Sequence, residues 1–277
     1  MSTSRQLFIR FAVIVIVWYV GLVYLPQLVG TCLDGTCGFS FGEIVVSFAI
    51  PLAIIALPVL LEMRLYKKNL SQALSDIGLT RFSWTGIRIA AIYLLPLLFF
   101  FPLFALLTQT PLATQPNGQW LILYALLLIG LPEEIMMRGF VFRHLREGRP
   151  FWRAAALSTV YFAAYHLRLI LVAGPLVGII AVVTAIPAGF LAAYIYEKGN
   201  NTIWGPALLH AVYYILTAAF AFPTDVQLIA SSLYLLVGIV VSTLILVSAY
   251  RAGYGRSETP ISQNGVEAAK LSEPLAQ

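Results

Sequence analysis

The sequence predicts an all-α protein, a polytopic bundle of about eight transmembrane helices with N-terminus and C-terminus both on the cytoplasmic side. Three observations predict it. Only 10% of the 277 residues are charged, against roughly 25% in an ordinary soluble domain. Apolar stretches of about 20 residues, each long enough to cross a hydrocarbon core, recur along almost the whole chain. Lys and Arg collect in alternate connecting segments, as the positive-inside rule requires of cytoplasmic loops. A soluble globular fold is excluded. The net charge of +5 reads as topology and contact with anionic lipid, not as nucleic-acid binding.

The spans fall at about 7–29, 43–62, 86–108, 119–137, 154–173, 176–196, 203–222 and 227–249. The first begins after Arg5, is longer than a signal peptide and lacks a small-residue cleavage site, so it reads as a spanning helix. With the N-terminus inside, the cytoplasmic face receives Arg64, Lys67, Lys68, Arg81, five arginines between 138 and 153, Lys198 and Arg251, while Arg168 alone approaches the outer side. Trp84, Trp120, Trp152 and Trp204 fall at span ends, where amphipathic indoles favour the interface. Residues 1–253 thus form one integral membrane domain, and 254–277, rich in Ser, Glu, Gly and Pro, read as a disordered cytoplasmic tail.

The connecting segments carry three further signals. "TCLDGTC" places Cys32 and Cys37 in the first outer loop around an Asp34-Gly35 turn; a local disulfide and two separate thiols both remain open. The polar, basic segment 63–85 has the composition of a loop with an interfacial helix. Segment 138–153 mixes arginines with Phe and Leu, as an interfacial amphipathic helix would.

Chemistry concentrates in the fourth span. "GLPEEIMMRG" sets two acids and an arginine in an otherwise apolar helix, where each ionised group costs a few kcal/mol. Glu133 and Glu134 point about 100° apart on a regular α-helix. Glu134 and Arg138, four apart, share a face in the favourable acid-before-base order. Glu133 therefore needs a partner from another helix. His144 sits among loop arginines, a solvated or lipid-facing position; His166 and His210 fall inside spans five and seven.

A carboxylic acid in low dielectric accepts a proton poorly, whereas a neighbouring imidazolium, arginine or metal restores its basicity. Two routes follow. Glu133 acts with His166 as general base on a water while His210 stabilises the oxyanion. Alternatively Glu133, His166 and His210 hold zinc with one position open to water. Neither needs a Ser or Cys nucleophile. Depth is a constraint: His166 lies about 20 Å along a straight helix from Arg153, Glu133 about 15 Å from Arg143. The two match only if span five tilts or starts inside the interface.

These residues resemble the CPBP intramembrane proteases, a family that includes the CAAX prenyl endopeptidases and Abi-type bacteriocin-immunity relatives. Its Glu-Glu-x3-Arg motif is matched by Glu133, Glu134 and Arg138, continuing into Gly139-Phe140. Its Phe-x3-His motif is matched by Phe162 and His166, and the His of its His-x3-Asn/Asp motif by His210. Position 214 is Tyr, a departure that retains a hydrogen-bond donor. The similarity covers about residues 119–217.

The resemblance implies that Glu133, His166 and His210 are catalytic, with zinc or a metal-free glutamate mechanism, and that Glu134, Arg138, Phe162 and Tyr214 organise the site. It implies an endopeptidase acting on a membrane protein or peptide beside the lipid bilayer, with its cavity open to the cytoplasm. The chain's brevity and lack of an organellar signal suggest a bacterial plasma membrane. A non-catalytic peptide-binding immunity or scaffold protein is the alternative that Tyr214 favours. A proton-coupled transporter fits embedded Glu and His but lacks an evident pair of broken, repeated helices.

Overall fold

The computed structural model describes residues 41–114, 125–172 and 174–255. The first span, Cys32, Cys37, Trp120 and the tail from 256 onward lie outside them. The described chain is mostly helical, and its long helices follow the apolar stretches: α1 (Phe41–Leu65), α2 (Leu70–Ile77) and α3 (Trp84–Thr108). Short α4 (Leu131–Glu134) and α5 (Arg143–Arg146) follow. Then come α6 (Phe151–His166), α7 (Arg168–Val172), α8 (Pro175–Lys198), α9 (Trp204–Ala219) and α10 (Thr224–Arg251).

Among the described residues, four helical stretches are long and apolar enough to cross a membrane: Trp84–Thr108, Phe151–Leu171, Pro175–Lys198 and Thr224–Arg251. Their outward faces carry Ile92, Leu95 and Leu106 on α3 and Leu228, Leu236 and Leu244 on α10, all exposed. An oily outer surface suits lipid, where the helical backbone bonds are satisfied internally. By contrast α9 has 16 residues, a rise of about 24 Å.

The fourth predicted span departs from a regular α-helix. Two π-helical segments, Ala125–Gly130 and Ile135–Phe142, flank the single α-turn α4 that carries both acids. Such π segments are rare and concentrate at functional sites. Pro132, without an N–H, removes one helical donor here. The segment is also tightly wedged. A Cβ on Gly130 would lie 2.7 Å from the Ala207 carbonyl oxygen of α9, and one on Gly139 would lie 2.7 Å from that of Ile77. Both distances are too short for any residue but glycine.

Three expectations need correction. Segment 138–153 is not an interfacial helix: every residue from Ile135 to Phe142 is buried, as are His144, Leu145 and Phe151. Its apolar residues pack in the core, and its arginines donate to carboxylates and carbonyls: Arg138 to Glu134, Arg143 to Glu62 and Arg146 to Glu197. The all-α class admits a minimal exception, an antiparallel pairing of β1 (Ala113–Thr114) with β2 (Phe220–Ala221), in register Ala113 to Ala221 and Thr114 to Phe220. These segments follow α3 and α9, which pack side by side and deliver both chain ends to one edge. Third, ordered contacts extend to Tyr254, which the sequence places in the tail. Its hydroxyl donates to Glu197 (2.9 Å), its carbonyl accepts from the Trp152 indole (3.0 Å), and Arg146 clasps the same Glu197 at 2.8 and 3.2 Å.

The 63–85 loop does contain a short amphipathic helix. Asn69 caps α2 with a reciprocal box to Gln72, and Ala73 and Ile77 face inward. The core has two parts. One lies among α1, the 135–145 segment, α6 and α8. The other, among α3, α8, α9 and α10, is built on Tyr93, Leu97, Phe101 and Tyr234.

Candidate active site

Glu134 and Arg138 meet as their spacing requires. Arg138 Nη1 donates to Glu134 Oε1 at 2.9 Å, each side chain is 1% exposed, and Nη2 reaches the Gly189 carbonyl of α8 at 3.2 Å. That last contact has no sequence signal, because it joins positions 51 residues apart.

His210, from α9, stands between the two acids. Its Nδ1 lies 3.2 Å from Glu134 Oε1 and its Nε2 lies 3.5 Å from Glu133 Oε2. Oε2 of both Glu133 and Glu134 is buried and makes no hydrogen bond, Glu133 Oε2 having only the longer ionic contact to His210. Buried carboxylate oxygens left in that state cost energy unless a donor enters. His210 is thus one partner within reach of Glu133.

His166 sits at the C-terminal end of α6 with Nδ1 2.8 Å from the Phe162 carbonyl. Because that carbonyl can only accept, Nδ1 carries the hydrogen of this contact. Phe162 is the hub of the arrangement. Its ring lies 4.5 Å beneath the Arg138 guanidinium, edge-on to His166 at 4.7 Å and to His210 at 6.0 Å. The Phe-x3-His spacing therefore places the aromatic ring and the imidazole on one face. Phe151, the first residue of α6, is fully buried in the protein.

These groups share a cavity of about 330 Å³. Glu134, Arg138, Phe162, His166, His210 and Tyr214 line one part of it. The remainder runs along α8 and α10, with Thr184, Ser231 and Ser242 among aliphatic side chains. Glu133 stands behind this lining, 8% exposed. The hydroxyls of α8 and α10 were not legible in the sequence, since each is an isolated polar residue in an apolar helix.

The zinc expectation meets a weak donor set. Among the described residues no group of three His, Cys, Asp or Glu side chains is arranged to hold a metal ion, and both ring nitrogens of His210 face carboxylates. Glu133, His166 and His210 do not form a three-ligand set in this arrangement.

A second ionic cluster escaped the sequence reading. Glu62, fully buried on α1, accepts from Arg143 and His144 on Oε1 and from Lys68 on Oε2. His144, assigned to solvent or lipid by its arginine-rich context, is 1% exposed and stacked on Tyr66 at 4.4 Å. Glu62 is 82 residues from His144, so no local pattern announces the pair.

Part of the chain matches a known protein family. The family model described as "Type II CAAX prenyl endopeptidase Rce1-like" matches residues 115–216. No curated protein and no solved structure matches the chain. The matched segment contains both acids, Arg138, Phe162, His166, His210 and Tyr214, the positions that converge on the cavity. Residues 115–216 of this membrane chain are therefore similar to the CAAX-protease (CPBP) family.

Proposed function

We propose that the chain is an intramembrane endopeptidase that hydrolyses a peptide bond of a membrane-associated protein or peptide near the cytoplasmic face. The observation that carries this reading is His210 lying between Glu133 and Glu134 beside a largely apolar cavity that His166 also lines. An apolar, partly enclosed site strengthens charge interactions with a developing oxyanion.

In this reading Glu133 is the base. A water oxygen forms a bond to the peptide carbonyl carbon while Glu133 Oε2, which makes no hydrogen bond, takes the water proton. The carbonyl electrons move to oxygen, and His166 and the Tyr214 hydroxyl donate to that oxyanion. Collapse breaks the C–N bond, and Glu133 returns the proton to the leaving amine. His210 holds the two carboxylates, and Arg138 anchors Glu134 through the contact to Gly189. His210 thereby takes a positioning part in place of the oxyanion part first expected, because both its nitrogens face carboxylates.

The same reading takes the chain as eight spans with both termini cytoplasmic in a bacterial plasma membrane. The arginines that follow the acids, Arg143 to Arg153, support a site opening to that side.

The experiment is peptide N-terminus profiling of membranes from cells expressing wild type or Glu133→Gln at equal abundance. Peptide ends present only with wild type support proteolysis and nominate substrates. Identical profiles with both proteins folded would overturn it. They would favour the second reading, a non-catalytic peptide-binding immunity or scaffold protein, for which Tyr214 in the cavity wall is the motivating feature.

A further inference from the structure

A second cavity lies at the other end of the polar spectrum. The turn between α1 and α2, the outer face of α2 and the segment leading to α3 enclose about 570 Å³, within the range of small-molecule sites. Lys67, Lys68 and Arg81 line it against the single carboxylate of Asp76. Lys68 is committed to Glu62 at 2.9 Å and to Asp76 at 2.6 Å, so Lys67 and Arg81 supply the positive excess.

The site is held open by specific contacts. Arg81 Nη2 donates to Ser75 Oγ at 3.1 Å, which fixes the guanidinium over the α2 hydroxyl face. Lys67 is turned outward by a left-handed backbone, φ 54°. Non-glycine residues adopt that conformation at a cost, and such strain gathers at ligand clamps.

The surroundings decide what kind of anion fits. Leu70 and Phe82, chain neighbours of the lining residues Ser71 and Arg81, and Trp84, edge-on to Phe82, are all more than half exposed. Trp84 opens α3, a helix long and apolar enough to span a membrane. Indole and phenyl rings at the start of a spanning helix favour the level where headgroups meet acyl chains, the level this reading gives the cavity.

We infer that this cavity is a binding site for the phosphate headgroup of an anionic glycerophospholipid, with Lys67 and Arg81 as the phosphate-binding pair. The acyl chains run down the apolar flank of α3. Basic pockets at the cytoplasmic ends of membrane helices bind anionic headgroups by this combination of charge and interfacial apolar surface. The site is separate from the Glu133 cavity and does not depend on the proteolytic reading.

The test uses the full chain extracted from phosphatidylcholine vesicles containing phosphatidylglycerol, with retained lipid counted by native mass spectrometry. Wild type retains phosphatidylglycerol over phosphatidylcholine. Lys67→Gln with Arg81→Gln lowers that retention about tenfold, while Arg251→Gln, an exposed cation at the end of α10, leaves it intact. Equal retention by the double variant overturns the site. So does an equal loss in Arg251→Gln, which would show a general charge effect. Displacement of the lipid by millimolar inorganic phosphate would assign the site to free phosphate and overturn the lipid reading. If the double variant unfolds in phosphatidylcholine alone, Lys67→Gln by itself carries the test, since that side chain is exposed.

Discussion

Two buried clusters in this protein are built from the same three groups, carboxylate, guanidinium and imidazole, yet differ in how completely the carboxylate oxygens are used. At Glu62, Oε1 takes Arg143 and His144 and Oε2 takes Lys68. One acid faces three donors, and the cluster lines no part of the 330 Å³ cavity. At Glu133 and Glu134, two acids share Arg138 and His210, and each keeps a buried oxygen without a hydrogen bond. Residue type does not distinguish a structural cluster from a reactive one. Under the proposed function, surplus acceptor capacity near a cavity would, because unsatisfied oxygens are where a substrate water would be bound and deprotonated.

The sharpest way to break this contrast is Glu133→Gln. Cleavage falls by about 10³-fold or more, in the upper range for loss of a general base, while the thermal midpoint in detergent stays near wild type. A variant that unfolds, or one that cleaves at the wild-type rate, would erase the distinction. Arg138→Met comes next. It leaves Glu134 buried without its cation and lowers stability by about 3–5 kcal/mol, read as a fall in unfolding midpoint.

Glu62→Gln sharpens the comparison from the other side. It strands Arg143, His144 and Lys68, but Lys68 and Arg143 reach solvent. The loss is therefore about 2 kcal/mol. Cleavage per folded molecule stays close to wild type; a collapse in turnover at full stability would make the second cluster part of the reaction. Tyr214→Phe gives the smallest change. Loss of a hydroxyl that donates to a developing oxyanion lowers the rate about tenfold, or about 1.4 kcal/mol, with stability unchanged. Tyr214→Asn should restore most of that rate, measured on the same substrate.

Legibility followed sequence separation. The pairs four residues apart, Glu134 with Arg138 and Phe162 with His166, were readable because one helical turn sets their geometry. The contact of Glu133 with His210 was not. His210 and His166 are both histidines in apolar helices, and only the packing of α9 against α4 and the preceding π-helical segment brings His210 to the acids. His144 was misread for a related reason: its neighbours in sequence are cations, but its neighbours in space are Glu62, Tyr66 and Phe140.

By itself the sequence determined that this is a helical membrane protein, through scarce charge and recurrent apolar stretches. It also determined the motif residues of the CAAX-protease-like segment, and one ion pair by helical period. Tertiary structure alone decided that His210 faces both acids, that segment 138–153 is interior, and that Glu62 anchors a second cluster. The physical reason is range. Hydropathy and helical period are local and additive along the chain. A contact between positions 76 or 82 residues apart depends on how whole helices pack, and side chains of the same type enter that packing with no local mark of their eventual partner.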